Sequence, residues 1–280
     1  MKLKSILIVV FFLFALTSSG QISREMAGIN ADSLKQIISA LSGTEKVDTL
    51  NSIAFRIMND FPEISKNYAS LAIDLSDGLN YQKGLADAHR SLGNSYMILD
   101  SLLPAMINIL NAVKIYEQIG PSHEQTLVYM ALSSLNFHTG RFKSVINYDK
   151  KAIKVLKQIE NTENLDYCYN SLARAFLGQG EYDSAIFYNK LAIAHGDTSI
   201  YPPFYNTFGR IYLNRFYESD DTSMLDKAIE WFQTGLKSTE INDFQSAGIT
   251  SNLFHSYNTY CTKEMDNLAF YHLNQIYPSA

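Results

Sequence analysis

Four Ala-(Ile/Val) pairs recur at one interval: Ala72-Ile73, Ala112-Val113, Ala152-Ile153 and Ala192-Ile193, each forty residues after the last. The same offset links Leu92, Leu132 and Leu172, then Gly93, Ser133 and Ala173, then Ser65, Ala105, Val145 and Ala185. A register kept through several kinds of position describes a stack of like units rather than one closed enzyme fold.

Each unit reads as two helices. Tyr169, Leu172, Ala173 and Phe176 fall at i, i+3, i+4 and i+7, one stripe of a helix. Ala185, Tyr188, Asn189 and Ala192 form a facing stripe, with Gly178 and Gly180 breaking the chain between them. Such a hairpin cannot bury its apolar face alone. Stacking on its neighbours completes the core, and the small residues Ala173, Ala185 and Ala192 allow the helices to approach closely.

The stretch from Gly180-Glu181-Tyr182-Asp183 through Ala185 to Leu191-Ala192-Ile193 resembles the second half of a tetratricopeptide repeat (TPR). Leu172, Ala173 and Phe176 resemble its first half, and Leu92-Gly93-Asn94-Ser95-Tyr96 with Ala105 and Ala112 repeats the likeness. The resemblance implies an all-α fold, a right-handed superhelical solenoid of about six helix-turn-helix hairpins. Units fall near 46–79, 86–119, 126–159, 166–199, 202–242 and 250–280. The stripe Leu34, Ile37, Ile38 and Leu41, within 21–45, reads as an N-terminal capping helix. The family's repeat is about thirty-four residues, so a forty-residue interval predicts longer helices or longer connections. Lengthened arrays of this kind resemble the exported TPR sensor regions of bacterial regulators. A stand-alone exported protein and a truncated relative of such regulators both fit the sequence.

Two units depart from the pattern. The fifth aligns on Phe208-Gly209-x-x-Tyr212 and Ala228-Ile229-Glu230-Trp231-Phe232, with Gly235 where the others carry alanine. About seven extra residues within Phe216–Met224, including Glu218, Asp220 and Asp221, read as a solvated loop. In the sixth, Ala269 fits, whereas Tyr257 stands where a small residue is expected.

The first twenty residues have a separate purpose. Lys2 and Lys4 precede an unbroken apolar run, Ile6 to Leu16, and then small residues at Ser18 and Gly20. This is the pattern of a secretory leader cut before Gln21. An uncleaved anchor is the rival reading, but eleven apolar residues would cover only about half of the ~30 Å hydrocarbon layer. No cysteine follows the cut, so a lipid anchor there is not expected, and no second apolar run reaches spanning length. The expected location is the periplasm or cell envelope, or outside the cell.

Losing Lys2 and Lys4 would take the formal charge from −5 to −7. Phosphate neutralisation needs clustered Lys/Arg, so nucleic acid is not an expected partner. The two cysteines, Cys168 and Cys261, lie about two units apart, on the order of 20 Å if each helix layer adds ~10 Å. A disulfide needs Cα atoms within ~7 Å, so free buried thiols are expected.

In TPR proteins the first helix of each hairpin lines a concave groove. The resemblance therefore points to Arg90 and Asn94, then Met130, Ser134 and Phe137, as a partner-binding groove. Asn170, Arg174, Asn206 and Arg210 continue it as a ladder, an Asn with an Arg one helical turn later in consecutive units. Asn donates to and accepts from a peptide backbone, and Arg forks onto a carboxylate. An acidic protein or peptide would suit that chemistry. The carboxylate clamp of chaperone-binding TPRs uses lysines that this chain lacks at the matching places, so that partner is not carried over.

The chain's 18 tyrosines and 16 phenylalanines mostly fall on the helical stripes, as Tyr148, Tyr188 and Trp231 do. Core packing is thus expected of them, with Tyr167, Phe137 and Phe254 as groove aromatics. Four Asp-(Ser/Thr)-apolar triplets, at Asp32, Asp48, Asp100 and Asp183, suit helix N-caps. The six histidines are scattered, no metal-ligand spacing appears, and the glycine-rich phosphate and nucleophile-elbow motifs are missing. No cofactor, metal or catalytic residue is expected. The reading is a non-catalytic exported binding scaffold, sensory in kind. Its alternative is an envelope glycan-uptake or surface-assembly component that uses TPR helices as support.

Overall fold

The computed structural model describes residues 38–196, 202–237 and 243–262, and within them the chain is helix and turn without strand. The leader, Leu34 and Ile37 of the capping stripe, Asp32 of the first Asp triplet, and Ala269 lie outside the described residues. A short helical turn at 38–40 leads into eleven helices among the described residues. These are α1 (Gly43–Ile57), α2 (Pro62–Gly78), α3 (Gln82–Ile98), α4 (Leu102–Ile119), α5 (His123–His138) and α6 (Phe142–Gln158). They continue with α7 (Leu165–Gly178), α8 (Tyr182–His195), α9 (Pro202–Ser219), α10 (Thr222–Leu236) and α11 (Asp243–Thr262).

Within the units α1 pairs with α2, α3 with α4, α7 with α8 and α9 with α10, and α11 packs on α9 and α10. Helices of 14 to 18 residues and short turns account for the forty-residue interval. Asp100, Gly140, Gly180 and Asp220, again forty apart, turn the chain with φ between 55 and 75°. That left-handed region is open to glycine and tolerated by aspartate, which is why those residue types stand there.

The chain forms two compact units, 1–131 and 132–280, the division falling within α5. In the first, α1 packs on α2 and α3, and α3 on α2 and α4. Its core joins Val47, Leu50, Ile53 and Ile57 of α1 to Ala72 and Ala88, and Ile38 packs into the same cluster. In the second, α6 packs on α7, α7 on α8 and α9, and α9 on α10 and α11. Leu213, Phe216, Leu225, Ala228, Phe232, Ile249, Leu253 and Tyr257 form one core there. Tyr257 thus fills core space where a small residue was expected. Its phenol accepts a hydrogen bond from Gln233 Nε2 at 2.8 Å, which satisfies the one polar atom it buries.

The extra residues of the fifth unit are helix, not loop. α9 runs on to Ser219 and α10 begins at Thr222, leaving only Asp220 and Asp221 between them. Asp221 is the N-cap of α10, its carboxylate accepting from Ser223 N at 2.9 Å. The three Asp triplets among the described residues, at Asp48, Asp100 and Asp183, provide no side-chain cap. Asp48 and Thr49 lie inside α1, with Thr49 Oγ1 donating back to the Glu45 carbonyl. Ser101 stands at the N-cap of α4 without a side-chain bond to it, and Asp183 lies in the first turn of α8, past its N-cap Glu181. A three-residue motif fixes composition but not where the first helical turn begins.

Close packing explains the small residue that recurs at Gly93, Ser133, Ala173 and Gly209. A Cβ added to Gly93 would stand 2.6 Å from Ile109 Cγ1 and 3.2 Å from the Ala105 carbonyl oxygen. One added to Gly209 would overlap the fully buried ring of Phe232. Gly93→Ala gains about 1 kcal/mol of helix propensity and loses about 1–3 kcal/mol to overpacking against atoms that include backbone. The expected outcome is a lower thermal midpoint by circular dichroism. A midpoint above the parent's would show that α3 and α4 can move apart freely.

Candidate partner-binding cleft

Three helices of the second unit enclose an open cleft of about 340 Å3. α7 gives Asn170 and Arg174, α9 gives Pro203, Asn206, Thr207 and Arg210, and α11 gives Ala247, Gly248 and Ile249. All four residues of the Asn/Arg ladder therefore meet in one place. Gly248 has only open space where a Cβ would stand.

The two asparagines differ from the free recognition groups expected. Asn170 is buried, and its amide donates to Asn189 Oδ1 at 2.9 Å and to Thr207 Oγ1 at 3.1 Å. Asn189 in turn donates to the Phe204 carbonyl at 2.8 Å. These bonds tie α7, α8 and α9 together, so Asn170 is first a structural staple. Asn206 accepts from Asn252 Nδ2 at 2.8 Å, which orients its amide at the cleft wall. Periodicity placed both residues on the right face but could not show that neighbouring helices would already occupy their hydrogen bonds.

The arginines are the uncommitted groups. Arg174 lies 4.1 Å over the Phe137 ring, a cation–π contact that holds the guanidinium in place. Neither Arg174 nor Arg210 forms an ion pair with a carboxylate among the described residues. Burial lowers the Arg174 pKa, the positive charge of Arg210 lowers it further, and Asp149 opposes both. Desolvation lowers Arg210 as well, although its side chain reaches solvent. Both remain cations in water, because arginine starts far above neutrality. Two neighbouring cations short of counter-charge make the cleft a place for an anion.

The remaining groove residues separate from this site. Arg90, Asn94 and Met130 belong to the first unit. Arg90 pairs with Asp87 at 3.4 Å and lies 5.2 Å over Phe55. Its Nε and the Asn94 Oδ1 are buried without a hydrogen-bond partner. Ser134 is half-buried on α5 and does not line the cleft. Of the expected groove aromatics, Tyr167 and Phe254 are more than half exposed and Phe137 is half-buried, and none of the three lines the cleft. Tyr188 stacks on Phe176 and Trp231 on Phe208, with centroids 5.2 and 4.5 Å apart, so both rings are engaged in packing. Cys168 is a buried free thiol, and the side chain of Cys261 is outside those described.

The sequence reading missed Asp149. It is buried on α6 near the Ser133 and Ser171 hydroxyls, one of its carboxyl oxygens has no hydrogen-bond partner, and it feels the charge of Arg174. The register could have exposed it, since it shares a position with Ile109 and Asn189, both fully buried.

No family model matches the chain, and no curated protein matches it. Solved structures do. One is a STAND signal-transduction ATPase with a TPR sensor from Pyrococcus horikoshii, 13% identical at a TM-score of 0.58, covering 89% of this chain and 42% of that one. BtubC (BKLC) from P. vanneervenii is 16% identical at 0.57, covering 77% and 90%. Rap protein complexed with competence and sporulation factor is 14% identical at 0.55, covering 92% and 71%. At such identities the likeness is one of fold. The chain has the TPR fold.

In TPR terms the cleft is built by the first helices of the fourth, fifth and sixth hairpins, and Asp149 sits on the second helix of the third. Burial pushes the Asp149 carboxyl from 3.8 up to about 7, against the Ser171 and Ser133 hydrogen bonds and the Arg174 charge. Between those values the folded chain keeps a proton that the unfolded chain has lost. Stability from this group is therefore full at acid pH and falls as pH rises through about 7. Asn189 already shows an amide at the matching position, so Asp149→Asn can keep the serine contacts without ionising. Above neutrality the variant is expected to be more stable by roughly a few kcal/mol, with the gain vanishing in acid. Parallel melting curves across the pH range would show that Asp149 does not titrate in this window.

Proposed function

We propose that the chain is a non-catalytic, exported scaffold that binds a protein or peptide, and that its second unit grips an acidic group of that partner. The cleft carries this reading. Arg174 and Arg210 have no carboxylate ion pair among the described residues and face a space large enough for a peptide side chain or chain end. A carboxylate entering there gains charge-assisted bonds from planar, forked donors. The amide of Asn206 offers a polar contact for the adjoining backbone.

Export is carried by the leader pattern at residues 1–20. A sensory role agrees with the kind of protein sharing the fold: one is described as having a TPR sensor and another was solved with a bound factor. In this reading the array captures its ligand in the envelope and reports that capture through its protein contacts.

The double variant Arg174→Ala/Arg210→Ala tests the reading. Binding of acidic-ended peptides, and capture of partners from an envelope extract, should fall roughly tenfold to a hundredfold, the loss expected for charged hydrogen bonds. Far-UV circular dichroism should match the parent. Unchanged binding by a folded variant would remove the two arginines, and the cleft with them, from the function.

A further inference from the structure

The repeat supplies its own standard for an outer helix facing water. At three positions forty residues apart, α2 carries Glu63, Asn67 and Ser70, α6 carries Lys143, Asn147 and Lys150, and α8 carries Asp183, Phe187 and Lys190, all exposed. α4 carries Leu103, Ile107 and Leu110 there, exposed by 72, 51 and 42%. These residues stand at i, i+4 and i+7, on one stripe of the helix. Where the other three helices together carry one apolar residue, Phe187, α4 carries three in a row, and such an aliphatic stripe marks a surface meant to be covered.

We propose that the α4 stripe is the interface of a two-fold homodimer, in which α4 packs antiparallel against α4 of a second copy. Charge selects a second copy as the occupant. Asp100 stands in the turn just before α4, seven residues before Ile107, and Lys114 lies seven residues after it; neither side chain has an ion pair among the described residues. With Ile107 on the two-fold axis, antiparallel pairing sets Asp100 of each copy near Lys114 of the other. Leu103 then meets the region of Leu110 and Asn111. An isologous contact makes this match twice, as two-fold symmetry requires. Parallel pairing would instead set like charges together at both ends. The helix dipoles also oppose favourably only in the antiparallel arrangement. The interface lies in the first unit and does not depend on the arginine cleft.

The test uses the full-length chain as the cell processes it, in sedimentation velocity over a wide concentration range. The parent should be a dimer and Ile107→Glu a monomer of unchanged helicity. Asp100→Lys and Lys114→Asp should each weaken the dimer, by roughly tenfold for two pairs made repulsive, and the double swap should restore it. Ile107→Cys should cross-link under mild oxidation, whereas Asn67→Cys on α2 should not. A monomeric parent, a dimer surviving Ile107→Glu, or a double swap that fails to restore association would overturn the proposal. So would a monomeric chain whose stripe is covered by a different protein.

Discussion

Every other feature depends on how closely the helices can approach at four alanines. Ala72, Ala112, Ala152 and Ala192 are completely buried on the second helices of consecutive hairpins. A methyl group there lets another helix lie against the backbone, and the β-branched neighbour in each pair, from Ile73 to Ile193, fills the space beside it. Because no hairpin can bury its stripe by itself, the same contact must be made at every junction. Selection for that contact is what holds the forty-residue register in the sequence.

The register fixes backbone geometry while leaving side-chain chemistry open. The position shared by Ala69, Ile109, Asp149 and Asn189 is buried in each of four hairpins, yet it is apolar twice and polar twice. The facing residue changes to suit. Gly93 makes room for Ile109, and Ser133 offers a hydroxyl to Asp149. Asn189 is satisfied by Asn170 and by the Phe204 carbonyl. Buried polar atoms cost free energy unless bonded, so a polar residue at this junction has to bring its partners from the adjoining helices. The staple through Asn170 and Thr207 is one result, and it is why the cleft has a rigid wall.

This separates what the sequence made legible from what it hid. Helix pairs, hairpin order and the burial of alanines follow from spacing alone, since they depend on residue size and period. The ladder of Asn170, Arg174, Asn206 and Arg210 was legible as one face, because one helical turn separates each pair. Whether those side chains were free was not legible, because that depends on what neighbouring helices present across the gap. Asn170 found hydrogen-bond partners there, whereas the arginines found no carboxylate to pair with among the described residues. The end of α9 was hidden for another reason: acidic and hydroxylated residues such as Glu218 and Ser219 are compatible with either a helix end or a loop. Only the position of Asp220, which keeps the forty-residue turn register, distinguishes the two.

A repeat array also carries an internal control that a single closed domain lacks. Each position is sampled several times in nearly the same surroundings, so a departure at one copy has to be explained by something outside the repeat's own packing. Arg174 and Arg210 are not needed to hold α7 against α9, since Asn170, Asn189 and Thr207 already do so. Leu103, Ile107 and Leu110 are not needed to hold α4 against α3, since Ala105, Ile109, Ala112 and Val113 are the residues buried there. Keeping aliphatic groups in water, or cations partly desolvated without counter-charge, is unfavourable for an isolated chain. Both departures become favourable only when another molecule covers them, which is the physical sense in which the array is built for contact.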